Sequence, residues 1–366
     1  MFLARRNLFQ DRTRLALSIG GVALAVMLIL LLNGFLAGMN QQLTSYLTFS
    51  PGTIVVAQKG VRNLLGATSL LPLNTTNEVE GVNGVVNAVP ILSQFVILDF
   101  HGKRQPAYLI GYEPERGGGP WKMATGHEPL TDREVVLDQV LAKRHNLQVG
   151  DSFQVMGQDF KIVGLSADTS SWMTSFFFIR KSAVENLLRV PQATSFLLVT
   201  SADGATQEDV RQRLDSMPGV NALTKTEMAA NDLNLFAKVF SAPLKLMVAI
   251  AFLVGTMIIG LVIYTATVER QREYGVLKAI GATNSVLYRV VAMQALVAAF
   301  VGALAGVLLA YAVSQSIMSA WPQFLVVLDP GDVGVALLAG LGMALVAALF
   351  PARVIAGLAP AEVFRK

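Results

Sequence analysis

The sequence predicts an α-helical membrane protein with four transmembrane helices and an α+β extracytoplasmic domain inserted between the first and second. Three observations carry this. Hydrophobic residues make up 53% of the 366 and charged residues only 15%, with a mean hydropathy of +0.52, which is the composition of the membrane class. Uncharged runs of about the 20 residues a helix needs to cross a bilayer occur at Leu15–Gly38, Leu246–Val268, Val290–Gln315 and Val333–Ala352. Between the first two, Lys59 to Lys245 has soluble-protein composition, with charges, turn residues and all three histidines.

Residues 1–14 read as a cytoplasmic N-terminal amphipathic helix and 15–44 as the first transmembrane helix with an external extension. A signal peptide would have an apolar run of roughly 7–15 residues ending at a small-x-small site. Here the run is longer and a helix-compatible pattern continues through Ala37-Gly38-Met39-Asn40, which favours an uncleaved anchor. Residues 45–225 form the extracytoplasmic domain. Its strands are expected at Thr53–Gln58, Val85–Val89, Phe95–Phe100, Ala107–Gly111, Glu134–Asp138, Phe153–Met156, Phe160–Leu165, Phe176–Ile179 and Phe196–Val199. Helices are expected at Thr76–Glu80, Gln139–Asn146, Ala183–Leu188 and Gln207–Met217. His101-Gly102-Lys103 marks a hairpin, and Glu115–Pro120 a flexible loop.

Residues 226–268 carry a stalk and the second transmembrane helix, with Leu233, Phe236, Ala237 and Phe240 at helical spacing. A charged segment fills 269–289, the third transmembrane helix 290–315, an external loop 316–332, the fourth transmembrane helix 333–352 and a C-terminal tail 353–366. Lys and Arg are held on the cytoplasmic side of short flanks. Arg5, Arg6, Arg12 and Arg14 precede the first span, Arg270, Arg272, Lys278 and Arg289 separate the second from the third, and Arg353, Arg365 and Lys366 follow the fourth. The 316–332 connection has Asp329 and Asp332 and no Lys or Arg. Both termini are therefore expected in the cytoplasm and the large domain outside.

Most chemistry is excluded. The chain has no Cys, so disulfides, thiolate metal sites and Cys nucleophiles are out. No phosphate loop, His-Glu-x-x-His or Gly-x-Ser-x-Gly occurs. His101, His127 and His145 lack metal-helix spacing and read as surface or loop residues, and Asp99, Glu113 and Glu115 sit beside turns as solvated groups. No catalytic residue, metal site or nucleic-acid surface is expected. The spans hold no Asp, Glu, Lys, Arg or His, which argues against ion-coupled transport. Gly34 with Gly38, and Gly302 with Gly306, allow close helix approach, either within one subunit or against a second copy. With no polar path in the spans, apolar cargo is expected near Gly34, Phe35, Met247 and Phe252.

The most informative stretch is Glu269 to Thr283, a charged helix-favouring run wedged between two spans. Glu269 and Glu273 lie one turn apart with Arg270, Arg272 and Lys278 around them, and Tyr274, Leu277 and Ile280 form a narrow apolar stripe. Gly281 can take the left-handed conformation that ends a helix, and Thr283 or Asn284 can cap the next. A push on this helix would move spans two and three together; the bland alternative is a passive interfacial helix.

The run Glu269-Arg270-Gln271-Arg272-Glu273-Tyr274-Gly275-Val276-Leu277-Lys278-Ala279-Ile280-Gly281-Ala282 resembles the signature of the FtsX/MacB-like permease family of ATP-binding cassette (ABC) transporters, the mechanotransmission type. Ala4-Arg5-Arg6-Asn7-Leu8, Glu134-Val135-Val136-Leu137 through Val149-Gly150-Asp151, and Pro351-Ala352-Arg353 with Pro360-Ala361-Glu362 are similar to other parts of that family. The resemblance implies a non-catalytic permease subunit of a bacterial inner membrane, homodimeric or paired with a second permease, each copy bound to a separate cytoplasmic ATPase subunit that holds the ATP and Mg. This chain itself would need no cofactor. Glu269, Arg270, Arg272, Glu273, Tyr274, Leu277, Lys278, Ile280 and Gly281 would couple to that ATPase. An exporter of heme, lipid or lipophilic drug is implied first, in contact with membrane lipids and working alone or with a periplasmic adaptor. A regulator of an external cell-wall hydrolase, and a lipoprotein-extraction permease, are the alternatives.

Overall fold

The computed structural model describes residues 12–100, 102–171, 174–269 and 271–356. The expected N-terminal amphipathic helix falls almost wholly outside these residues, as do His101, Arg270 and the end of the C-terminal tail. The chain divides into two compact units. One is external, residues 39–239 with 322–325; the other is helical and takes the rest.

Along the chain, α1 (Arg12–Phe49) leads to β1 (Ile54–Gln58), α2 (Thr75–Glu80), β2 (Val85–Phe100), β3 (Lys103–Tyr112), β4 (Met123–Gly126) and β5 (Glu134–Asp138). Then come α3 (Gln139–Arg144), β6 (Ser152–Val155), β7 (Gln158–Ser166), β8 (Ser175–Arg180), α4 (Lys181–Leu188), β9 (Phe196–Ser201), α5 (Gln207–Asp215) and β10 (Val220–Thr224). The chain finishes with α6 (Lys225–Glu269), α7 (Gln271–Ala279), α8 (Asn284–Ala320) and α9 (Pro330–Ala356). Among the described residues four helices, α1, α6, α8 and α9, are long and apolar enough to cross a membrane, and the α+β domain lies between the first and second of them.

The external unit is one mixed sheet in the order β10-β1-β9-β2-β3-β8-β5-β7-β4, with β6 on β7. It has two halves that share β2. As far as Ile91, opposite Phe196, β2 pairs with β9; from Leu92, opposite Gly111, it pairs with β3. The sequence reads as two strands here because Pro90 lacks an amide for the ladder, but the proline sits where the strand changes partner and the ladder loses little. On the β10-β1-β9 half, Ile54, Val56, Leu197 and Val199 are covered by Val79 of α2 and by Val210 and Leu214 of α5. On the β3-β8-β5 half, Leu109, Leu137, Phe177 and Ile179 pack with Leu141 of α3 and Val184 of α4. A Cβ at Gly111 would lie 2.4 Å from Val184 Cγ2, so only glycine lets α4 settle on β3. Each fully buried side chain of this size contributes about 1.5–3 kcal/mol.

Two strands were not foreseen. β4 is a short, mostly exposed edge. β10 carries Asn221 and Thr224, which blur the alternation, and it forms because β1 offers its whole edge from Ile54 to Gln58. Its far edge is covered by α5: Asp215 accepts from the Ala222 amide at 2.9 Å and Arg211 donates to the Ala222 carbonyl at 3.4 Å, which removes a free edge.

Candidate coupling helix and membrane groove

α7 forms because charge placement suits both its ends. Glu273 lies in its first turn and Lys278 in its last, each complementing the helix dipole. Gly281 ends it with φ +98°; the Gly281 and Ala282 amides return to Lys278 at 3.0 Å and Leu277 at 2.9 Å. Thr283 then takes the N-cap position of α8, without a side-chain cap bond.

The apolar stripe expected to grip a partner is divided. Tyr274 is only 4% exposed and belongs to the core of the helical unit with Ile263, Leu287 and Ala347, and Leu277 packs partly against the same core. Ile280 is 76% exposed, and Val276, outside the expected stripe, is 45% exposed. Tyr274 and Leu277 therefore fasten α7 to its own bundle, because an aromatic ring and a leucine beside a greasy helix end bury more area there than in water. The surface open to another protein is Arg272, Glu273, Val276, Ile280 and Gly281, joined beyond the turn by Val286, 50% exposed. Val276 was legible as the i+4 neighbour of Arg272 and the i−4 neighbour of Ile280.

Within the helical unit, α1 and α6 enclose an apolar groove of about 420 Å³. α1 contributes Gly21, Leu24, Ala25, Leu28 and Leu32; α6 contributes Met247, Ile250, Ala251, Val254, Gly255 and Ile258. At one end the helices nearly touch. A Cβ at Gly21 would lie 2.7 Å from Ile258 Cγ2, and one at Gly255 would lie 2.5 Å from Ala25 Cβ. From there to Leu32 is about 16 Å along a helix rising 1.5 Å per residue. Leu24 and Leu28, like Met247, Ile250, Val254 and Ile258, keep much of their surface exposed.

Of the four residues expected near cargo, only Met247 lines this groove. Gly34 faces the segment after α8: the Val327 amide donates to its carbonyl at 2.9 Å, and a Cβ there would sit 2.8 Å from the Val327 carbonyl oxygen. Phe35 is half-buried off the groove, and Phe252 packs against the helical core. The i, i+3, i+4, i+7 spacing of Gly21, Leu24, Ala25 and Leu28, repeated from Met247 to Gly255, is the signal that locates the groove. Gly302 and Gly306 serve packing within the chain. Cβ atoms there would lie 2.7 Å from the carbonyl oxygens of Ile19 and Ala23 on α1.

In the external unit, the end of α1 is held by an aromatic cluster. The Tyr46 hydroxyl donates to the Gly118 carbonyl at 2.6 Å, its ring stacks on Phe176 with centroids 5.7 Å apart, and Phe49 stacks on Trp121 at 5.7 Å. The polar groups of this unit serve its structure. Asp138 caps α3 by accepting from Val140 N at 3.0 Å and Leu141 N at 2.9 Å, and from the Thr169 hydroxyl at 2.7 Å. Its burial pushes the carboxyl up to about 6 against those three bonds. Glu115 pairs with Arg180 at 3.0 Å, and Asp99 accepts from the Gly102 amide at 2.6 Å to close the hairpin. His145 is a packing residue rather than a surface one, its ring 4.2 Å from that of Phe100. Among the described residues no group of three His, Cys, Asp or Glu could hold a metal.

Residues 15–217 match the family model of the MacB-like periplasmic core domain, and residues 245–360 that of the FtsX-like permease C-terminal domain. An uncharacterized ABC transporter permease of Mycobacterium tuberculosis is 25% identical over 308 residues, 84% of each chain. A protein of Staphylococcus epidermidis named as a hemin transport system permease, HrtB, is 22% identical over 202 residues, 55% of each chain. The periplasmic region of MacB from Actinobacillus actinomycetemcomitans aligns at 16% identity and TM-score 0.37, over 50% of this chain and 93% of that one. Four apolar helices together with a MacB-like periplasmic domain fit an inner-membrane protein with an extracellular domain.

Proposed function

We propose, from the premise that this chain belongs to the FtsX/MacB-like permease family of ABC transporters, that it is the membrane subunit of an exporter of hydrophobic or amphipathic compounds. The observation that carries this reading is the groove between α1 and α6, lined only by apolar side chains and glycine. A polar solute entering it would lose its hydration without compensation, at a cost of roughly 2 kcal/mol or more per unmatched group. An apolar body entering from lipid meets no such penalty, and one drawn from water gains about 25 cal/mol per Å² buried. A heme, a lipid or a lipophilic drug has that character, and the relative named for hemin transport supports the first of these.

Energy would enter from a separate cytoplasmic ATPase subunit carrying the ATP and Mg, docked on the exposed half of α7 around Arg272, Glu273, Val276 and Ile280. Both termini would lie on that side, in keeping with the basic flanks of the spans. A second copy of the permease would complete the assembly, each copy meeting its own ATPase. A periplasmic adaptor would be an accessory to the external domain. This chain would hold no cofactor.

A second reading rests on a different surface. Phe95 and Ile97 alternate on one face of β2, 50% and 63% exposed, and an exposed apolar pair there suits an external protein partner. Such a partner would be a cell-wall hydrolase or a lipoprotein carrier. Photo-crosslinking of membranes with a lipophilic diazirine probe separates the two. Export predicts labelling concentrated on α1 and α6, reduced by Val254→Trp. Labelling confined to the external domain would overturn the exporter reading in favour of the second.

A further inference from the structure

Asp232 lies near the start of α6, fully buried at 0% exposure, and its carboxylate accepts from two backbone amides, Leu65 N at 3.1 Å and Leu64 N at 3.3 Å. A buried carboxylate held only by neutral donors is a costly way to fill space, and a leucine would fill it without the desolvation penalty. What the carboxylate supplies is direction, since its two oxygens fix two consecutive amides of one loop.

That loop touches other elements as well. The Leu64 carbonyl accepts from the Tyr108 hydroxyl on β3 at 2.5 Å. One residue thus gives its N–H to α6 and its C=O to β3. Around it, Asn231 donates to the Arg62 carbonyl at 3.0 Å, and Asn221 of β10 to the Val61 carbonyl at 3.0 Å. Gly66 turns the loop with φ +80° where a Cβ would come within 3.2 Å of Leu235 Cδ2. The two halves of the sheet consequently meet α6 in different ways. The β10 half is joined covalently, because α6 starts at the residue after Thr224. The β3 half is joined through Asp232, Leu64 and Tyr108.

We propose that Asp232, the Leu64–Leu65 amides and the Tyr108 hydroxyl form a latch that delivers displacement of α6 to the β3 half of the external sheet. Asp232 is then a positioning residue for the coupled conformational change, and this rests on the ATPase-driven coupling proposed above. Without the latch, motion of α6 reaches the β3 half only indirectly, through the β2 strand that the two halves share.

The test is hydrogen-exchange mass spectrometry on the full chain with its ATPase subunit in lipid nanodiscs, with and without trapped ATP and Mg. Asp232→Ala is compared with Tyr108→Phe, which removes one hydroxyl and keeps the ring packing, so the test survives if Asp232→Ala fails to fold. In the parent, nucleotide alters exchange in 271–289 and in β3. In Asp232→Ala the 271–289 response persists and the β3 response falls about tenfold, as expected for losing the two hydrogen bonds that hold the loop; in Tyr108→Phe it falls about fivefold. A residue that merely supports the fold would instead lower copurified ATPase and weaken both responses together, and that result overturns the latch. A β3 response of parental size in both variants overturns it as well. A parent whose external domain ignores nucleotide overturns the coupling reading, and the latch with it.

Discussion

Two faces of α1 answer to different demands. One packs within the chain against Gly302 and Gly306 of α8, whose missing side chains let Ile19 and Ala23 come close enough that a Cβ would sit 2.7 Å from their carbonyl oxygens. The other, a third of a turn or more away, presents Leu24 and Leu28 to the groove it shares with α6. Both faces are uncharged and carry small residues, yet one is filled by its own chain and the other is open. Helix–helix association in a bilayer lacks a hydrophobic drive between apolar surfaces; close packing decides which face is closed, and leucines against methionine, isoleucine and valine leave a gap that glycine against valine does not.

The largest effect should come from filling the closed face. Gly302→Leu forces a side chain into backbone, where a Cβ alone would lie 2.7 Å from Ile19 O, and overpacking of this kind costs about 1–3 kcal/mol or more. Thermal unfolding in detergent should shift down sharply, and export should be lost with it. Equal stability would mean that the two helices separate readily, and the contrast between the faces would fail.

On the open face the expectation reverses. Leu28→Trp or Val254→Trp should leave unfolding within a few degrees of the parent, because the ring enters a groove of about 420 Å³. Labelling of α1 and α6 by a lipophilic probe should drop about tenfold, the change expected for 1.4 kcal/mol of lost binding. Full labelling in both variants would place the cargo elsewhere.

A pH-dependent effect, absent at neutral pH, concerns the external unit. Asp138 has its carboxyl raised by burial from 3.8 to about 6, so the folded state holds the proton more tightly than the unfolded one. Its contribution is most favourable below about pH 4, declines as pH rises to about 6, and is constant above; two pKa units correspond to about 3 kcal/mol. Asp138→Asn should remove this part of the pH slope, read from denaturant midpoints at pH 4 and pH 7 followed by tryptophan fluorescence. An unchanged slope would assign the titration to other groups.

Much of the fold was legible because its signals are local. Charge-free runs mark the spans, short apolar runs mark β1, β5 and β9, and alternation marks β7. β10 escaped because an edge strand owes its existence to a partner strand far away in sequence, and β2 was divided in the reading because Pro90 looks like a break when its neighbours are unknown. The site was legible in part. The helical repeat of Tyr274, Leu277 and Ile280 showed that α7 has an apolar face, but periodicity does not say which neighbour covers it. Tyr274 turned inward and Ile280 did not. Gly34 misled for the same reason, since what its small size admits is the Val326–Leu328 segment of its own chain. Asp232 gave no signal, as its partners are amides of a loop more than a hundred residues earlier.

Coupling through the exposed half of α7 is tested most directly by copurifying the ATPase subunit with Ile280→Asp and with Tyr274→Phe. Ile280 is open to a partner, so an unpaired carboxylate there should weaken ATPase association by at least about tenfold, consistent with a desolvation cost of roughly 2 kcal/mol, while the permease stays folded in the membrane. Tyr274→Phe keeps the ring in the bundle core and should copurify the ATPase like the parent. Parental ATPase binding and ATP hydrolysis in Ile280→Asp would contradict coupling at this surface and leave α7 a passive interfacial helix.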